Sequence, residues 1–247
     1  MKGYKRVAAY VDLDAIEDNF EAMKANLKEK TRIAAVVKAN GYGHGAAPIA
    51  RMIEKKDYLW GFAAATIEEA AELRRNGIQK PILILGYVFP EDYEELVRLD
   101  IRPAVFRLDM AKELSAEAVR QQKEVRVHIK VDTGMSRIGF ADTKESVQDV
   151  CAISKLPGIR MEGLFTHFAK SDELDKAATE KQLARYCAFR EACEAAGVKF
   201  QIHHCSNSAG IIDLPEANLD MVRAGITVYG LYPSDEVKKE LVPLEQK

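Results

Sequence analysis

No apolar run in this chain approaches the roughly 20 residues a membrane-spanning helix needs. Residues 1–12 hold two lysines and an arginine but lack the apolar centre of a signal peptide. A membrane protein and a secreted one are both disfavoured, and the expected compartment is the cytoplasm. The four cysteines, Cys151, Cys187, Cys193 and Cys205, make no C-x-x-C pair and match no zinc or small disulfide spacing. They read as free thiols, and no metal is expected. Charge of one sign is missing as well: 38 acids against 36 bases leave a net −2, with no long run to attract polyanions or anionic lipid. Nucleic acid and membrane surfaces are therefore not expected partners. Internal repeats and low-complexity segments are also absent.

What remains is a chain of 247 residues, 47% hydrophobic, long enough for one large core. Apolar strand-like runs alternate with helix-period stretches from end to end, the pattern of a parallel sheet built from βα units. Eight strands are predicted near 33–39, 59–65, 82–87, 102–106, 125–132, 161–167, 200–206 and 221–229. Amphipathic stretches at 66–76, 109–122 and 173–196 lie between them, with Gly77 and Gly197 as helix stops. Eight units over this length favour a closed (β/α)8 TIM-type barrel over an open doubly wound sheet, which shows the same alternation with fewer strands. The barrel is expected to occupy 1–233. Residues 234–247, rich in Glu and Lys, read as the start of a linker toward a further domain.

Candidate chemistry gathers where strands end. Lys38 closes the first strand, directly before Asn40, Gly41, Tyr42 and Gly43. A lysine there either reaches water, is paired, or is desolvated, and a desolvated amine is neutral and nucleophilic toward an aldehyde. Gly41, Gly43 and Ala46 also mimic a dinucleotide-binding G-x-G-x-x-A turn, but the second strand ends without an acid to hold a ribose. Residues 125–132 alternate strictly between β-branched and polar types, so Arg126, His128, Lys130 and Asp132 share one face. In a barrel that face points into the lumen; in an edge strand it faces water. Arg137 sits in the loop that follows, and its flank of Ile138 and Phe140 points to partial burial of a guanidinium suited to a phenolate or carboxylate. His167 ends the sixth strand, where barrel enzymes keep catalytic groups, although a lone histidine is more often a packed one. His203 and His204 point to opposite faces of their strand and cannot chelate one metal well. Asn207 and Ser208 follow the seventh strand, while Arg223, Gly225 and Ile226 close the eighth, the recurrent place for a phosphate cup in this fold.

Together these segments resemble alanine racemase over essentially the whole chain, most specifically at 37–45, 131–140, Thr166-His167, Asn207-Ser208 and 221–233. The resemblance implies a fold type III barrel that uses pyridoxal 5'-phosphate and works as a head-to-tail homodimer with a β-rich C-terminal domain. It implies racemisation of L-alanine and D-alanine, an isomerase activity that supplies D-alanine for peptidoglycan. Carried over residue by residue, it makes Lys38 the Schiff-base lysine and the base on the D-alanine side. Tyr42, Asn207 and Ser208, with the amides near Gly225 and Ile226, would hold the cofactor and its phosphate. Arg137 would lie near the phenolate and the substrate carboxylate, with Lys130 facing it, in some relatives as a carbamate. Arg223 would face the pyridine nitrogen, buttressed by His167.

A guanidinium does not readily give up its proton, so a ring nitrogen opposite Arg223 stays unprotonated and draws electrons weakly, which favours proton exchange over transamination. Racemisation also needs a base on each face. The resemblance assigns the second to a tyrosine of the C-terminal domain of the other subunit, so a chain ending at Lys247 is expected to bind cofactor and racemise poorly alone. A non-catalytic pyridoxal-phosphate carrier barrel is the alternative. A dinucleotide-dependent oxidoreductase, resting on the glycine turn, is the third reading.

Overall fold

A computed structural model describes residues 7–245. Lys2, Lys5 and Arg6 of the N-terminal stretch and the last two residues of the 234–247 segment lie outside them. Eight strands form the frame: β1 (Arg32–Val36), β2 (Leu59–Ala64), β3 (Ile82–Ile84), β4 (Arg102–Val105), β5 (Val125–Asp132), β6 (Ile159–Phe165), β7 (Ile202–His204) and β8 (Met221–Ala224). Each pairs in parallel with its neighbour from β1 to β7, and β8 pairs with β1. Between β7 and β8 the bonds Asp220 N–H to His203 O (3.2 Å) and Arg223 N–H to Ser206 O (3.0 Å) bring the ring nearly to closure. The expected eight-stranded parallel barrel is therefore present. A two-residue strand at Phe140–Ala141 pairs beside β5.

Strands in such a ring are covered on both sides, so they read as short apolar runs without a wet face. All of β2, including Leu59, Trp60 and Phe62, is buried. The main core lies between strands and the surrounding helices, where Phe62, Ile82, Ile129 and Val222 meet Phe20, Leu114 and Tyr186. A separate small cluster of Ala34, Trp60, Leu83, Ile202 and Met221 plugs the lumen. Along β5 the alternation sorts as a barrel requires: Val125, Val127, Ile129 and Val131 join the outer core, while His128 and Lys130 are buried in the lumen.

The helices at Ile67–Arg75, Leu108–Arg120 and Ala177–Ala195 match the stretches read from the sequence; the first and last fall within them, and Leu108–Arg120 starts one residue ahead of its stretch. Gly77 (φ 87°) and Gly197 (φ 88°) follow the first and last of them in the left-handed conformation of a helix stop. Further helices go beyond those readings, among them α1 (Leu13–Ala25). It is capped by Asp12, whose carboxylate accepts from Ala15 N–H at 3.0 Å, and it buries Ile16, Phe20 and Met23. The dinucleotide reading fails at the first crossover. After β1 the chain first winds left-handed through Ala39 (φ 51°), Asn40 (φ 51°), Gly41 (φ 63°) and Tyr42 (φ 53°), and a right-handed helix starts only past the glycine turn, at Ala46–Ile53.

Residues 234–245 lie against the barrel. Val237 and Val242 are buried, and Glu245 N–H donates to Asn19 of α1 at 2.7 Å. No helix of the described residues is long and apolar enough to cross a membrane.

Candidate active site

The C-terminal ends of the strands open onto one cavity of about 550 Å³. All ten residues to which the resemblance gives a part at the site line it: Lys38, Tyr42, Lys130, Arg137, His167, Asn207, Ser208, Arg223, Gly225 and Ile226. Lys38, Lys130, Arg137 and Arg223 bring four cations to this wall, and Asp172 one carboxylate. Such a balance attracts an anion of small-molecule size.

Lys38 is held at the rim by the left-handed turn that follows it. Non-glycine residues in that conformation cost roughly 1–2 kcal/mol each. The turn is kept by a dense set of bonds: Gly41 N–H to Val37 O (2.8 Å), Gly43 N–H to Ala39 O (2.9 Å) and Gly45 N–H to Asn40 O (2.8 Å). The Glu69 carboxylate accepts from Ala39 N–H (2.7 Å) and Ala65 N–H (2.8 Å), tying the ends of β1 and β2 together. The Lys38 side chain is half-buried, makes no ion pair among the described residues, and lies 5.8 Å from the centre of the Tyr42 ring. Tyr42 in turn packs against Tyr229, with ring centres 4.9 Å apart.

Across the cavity, Asn207 caps a short helix, its side-chain oxygen accepting from Gly210 N–H at 3.1 Å. The Ser208 hydroxyl accepts from Gly225 N–H and from the Thr227 hydroxyl, both at 3.0 Å, and so binds the ends of β7 and β8 into one cup. A Cβ on Gly225 would stand 3.4 Å from the Tyr42 hydroxyl and 3.6 Å from that of Ser208. Glycine there leaves the space between two hydroxyls open to a ligand. Ile226 begins a 3-10 turn, whose first amide N–H groups have no partner inside the turn.

Arg223 is buried, and its two terminal nitrogens donate to Thr166 O (2.8 Å), Cys205 O (2.9 Å), His204 Nδ1 (2.8 Å), His204 O (3.2 Å) and His167 Nδ1 (3.2 Å). Burial, reinforced by the charge of Arg223, pushes His167 down to about 2, so its ring is neutral and accepts. Burial and then Arg223 also push Lys130 down to about 8; its ammonium meets the Val131 carbonyl at 3.5 Å and lies 5.5 Å from the centre of the Phe165 ring. The partial burial expected of Arg137 is not found. Asp132 accepts from Gly134, Ser136 and Arg137 N–H groups, which shapes the loop so that the Arg137 side chain is exposed at the mouth. Among the residues that reasoning from the sequence missed are Glu162 and Asp172, while His204 was weighed there only as a metal ligand. His128 and Lys130, on the alternating face of β5, carried a periodic signal.

His203 and His204 do point apart: His203 pairs with Asp220 at 2.9 Å, while His204 is buried in the lumen. Among the described residues no group of His, Cys, Asp or Glu side chains could hold a metal.

A nearly closed parallel barrel with an electropositive cavity at the C-terminal strand ends, an amine on one wall and a hydroxyl-lined cup on the other, defines an enzyme-type (β/α)8 barrel. Its sequence narrows this further: the family description "Alanine racemase, N-terminal domain" matches residues 11–233, and the chain belongs to that family. It is similar to the alanine racemase of Clostridium perfringens, 46% identical over 97% of this chain and 61% of that protein. The alanine racemase of Desulforamulus reducens is 43% identical over 94% of this chain and 62% of its own length. Among solved structures, the alanine racemase of Clostridium difficile 630 in complex with cycloserine superposes with a TM-score of 0.92 at 43% identity, covering 94% of this chain and 64% of that one. The chain thus spans about six-tenths of the length of the curated relatives it matches. These relatives do not favour the carrier alternative.

Proposed function

We propose that this chain is the cofactor-binding barrel of a pyridoxal-phosphate-dependent racemase that interconverts L-alanine and D-alanine. The observation that carries this reading is the joint lining of one electropositive cavity by Lys38, the Ser208–Gly225 cup and Arg223. Pyridoxal phosphate brings an aldehyde for an amine to join, a ring that withdraws electrons, and a dianionic phosphate. The residues present fit it. The Tyr42 and Ser208 hydroxyls, with the amide N–H groups that open the turn at Ile226, offer donors for phosphate, and Gly225 supplies a position that would not take a side chain without closing the gap. The Arg223 Nε–H, which has no acceptor among the described residues, is the donor for a ring nitrogen, and His167 and its neighbours hold the other guanidinium protons. Asn207 supports the cup through its helix cap.

Lys38 serves as one acid–base group at the substrate Cα. Arg137, exposed at the mouth, takes the substrate carboxylate, and Lys130 stands beneath it, as an amine or a carbamate. Proton return on the opposite face calls for a second group. We assign it to a further domain of a partner subunit in a homodimer, the arrangement that the resemblance implies. D-alanine made this way in the cytoplasm would feed peptidoglycan.

Optical rotation of L-alanine, followed with pyridoxal phosphate present, tests this reading. The 247-residue chain alone should bind cofactor and lose rotation slowly, and a separately supplied β-rich domain should accelerate the loss. Full activity from the barrel alone would contradict the two-group assignment. No rotation loss in either arrangement would contradict the racemase reading.

A further inference from the structure

Beneath Arg223 a line of buried polar side chains runs down the lumen, away from the cavity. Arg223 Nη1 meets His204 Nδ1 at 2.8 Å, His204 Nε2 meets His128 Nδ1 at 2.9 Å, and His128 Nε2 meets the Glu162 carboxylate at 3.0 Å. Arg102 reaches the same carboxylate oxygen at 3.4 Å from the barrel floor. Both histidines are fully buried. Trp60 packs edge-on against His128, ring centres 5.4 Å apart, and Phe165 lies flat on His204 at 4.6 Å, so aromatic rings flank the line.

The ends of the line determine its middle. A guanidinium only donates, and an ionised carboxylate only accepts. Burial works against the ionised form of Glu162, but the hydrogen bond from His128 and the nearby cations hold its carboxyl below the ordinary range. His128 must then donate from Nε2, and its Nδ1 must accept from His204 Nε2, leaving His204 Nδ1 to accept from Arg223. If His128 were doubly protonated, its Nδ1–H would force His204 to accept at Nε2 and carry its proton at Nδ1, facing the Arg223 donor. If His204 were doubly protonated, its Nδ1–H would meet that donor directly. Only two neutral imidazoles with their protons on Nε2 make all three links together. Burial lowers both histidines, in the direction this requires.

Among the described residues Arg223 touches no carboxylate; its acceptors are carbonyl oxygens and imidazoles. Glu162 is the anion at the far end of its hydrogen-bonded line, and it reaches the lumen by a local irregularity. The β5–β6 register pairs Val127 with Met161 but His128 with Gly163, so Glu162 is the extra residue of a bulge, its side chain turned toward His128. Gly163 completes the arrangement, because a Cβ there would stand 2.3 Å from His128 Nδ1.

We propose that Glu162 is a positioning residue for Arg223, acting through His128 and His204 held as neutral, co-oriented imidazoles, so that the guanidinium presents its Nε–H to the cavity as a fixed cationic donor. The relay does not depend on what fills the cavity. That the group opposite Nε is a cofactor ring nitrogen rests on the function proposed above.

Nitrogen-15 NMR of the unliganded chain, labelled at histidine and arginine and held at pH 7, reads the relay directly. Both His128 and His204 should show an unprotonated Nδ1 and a protonated Nε2. A doubly protonated ring, or a proton on Nδ1 of either, would overturn the proposal. In Glu162→Gln, checked for folding by thermal melting, the ring nitrogens of both histidines and the Arg223 Nε–H resonance should shift together. A folded variant with unchanged His204 and Arg223 resonances would overturn it as well. Should Glu162→Gln fail to fold, the wild-type tautomers still decide. The expected tautomers in a chain that does not bind pyridoxal phosphate would support the relay and count against the functional reading instead.

Discussion

Lys130 shows how burial turns a single residue into a pH-dependent contribution to stability. Its ammonium is nearly sealed off, 2% exposed, and is pushed down to about 8 from an ordinary 10.5. Between those values the unfolded chain holds the proton and the folded one does not, so this residue makes stability rise with pH through that window. Wild type should therefore gain stability over Lys130→Met between about pH 8 and 10.5 in urea unfolding. Parallel pH profiles for the two proteins would contradict the burial of that charge. Gly163→Ala should drive a methyl group into His128, destabilising by roughly 1–3 kcal/mol as overpacking does. At about 2–4 °C per kcal/mol for a domain of this size, a thermal melt should register it; an unchanged melting temperature would mean that the strand yields instead. At this scale the sequence was partly legible. The alternation of residues 125–132 announced His128 and Lys130, whereas Glu162 was hidden because a bulge breaks the period that would reveal it. Arg137 was read as partly buried from its apolar flank, but backbone bonds to Asp132 aim the side chain outward, and a flank does not encode that direction.

The turn after β1 is the element on which the cavity most depends. It carries three non-glycine residues at positive φ, Ala39, Asn40 and Tyr42, held in part by the Glu69 carboxylate. Glu69→Ala would leave the Ala39 and Ala65 amides without their acceptor, and hydrogen bonds to a charged group contribute about 1.5–3 kcal/mol each before solvent replaces them. We expect a lowered melting temperature together with weaker binding of pyridoxal phosphate; a lowered melting temperature with unchanged affinity would show that the turn does not orient Lys38. The strand count was legible because eight short apolar runs have no other economical packing. Several ends were not. Residues 225–229 read as strand from their apolar content, yet Gly225 breaks the extended backbone and Ile226–Tyr229 forms a 3-10 turn, because the chain must leave the ring to build the cup. Left-handed winding after Lys38 had no signal beyond Asn40 and the glycines.

For the molecule as a whole, a ligand that binds only the folded state must stabilise it. Pyridoxal phosphate at a hundred times its dissociation constant should add about 2.7 kcal/mol, raising the melting temperature by several degrees, and this gain should shrink in Lys38→Ala. Equal gains in both proteins would detach the stabilisation from Lys38. Residues 234–245, anticipated as a linker, lie on the barrel through Val237, Val242 and the Asn19–Glu245 bonds. The central claim is that one amine, Lys38, joins the cofactor in the cavity. Borohydride reduction of the chain saturated with pyridoxal phosphate, followed by peptide mass mapping, tests it most directly. The account predicts a single phosphopyridoxyl group on the peptide that contains Lys38, absent from Lys38→Ala; a label on Lys130, or spread over surface lysines with Lys38 unmodified, would contradict it.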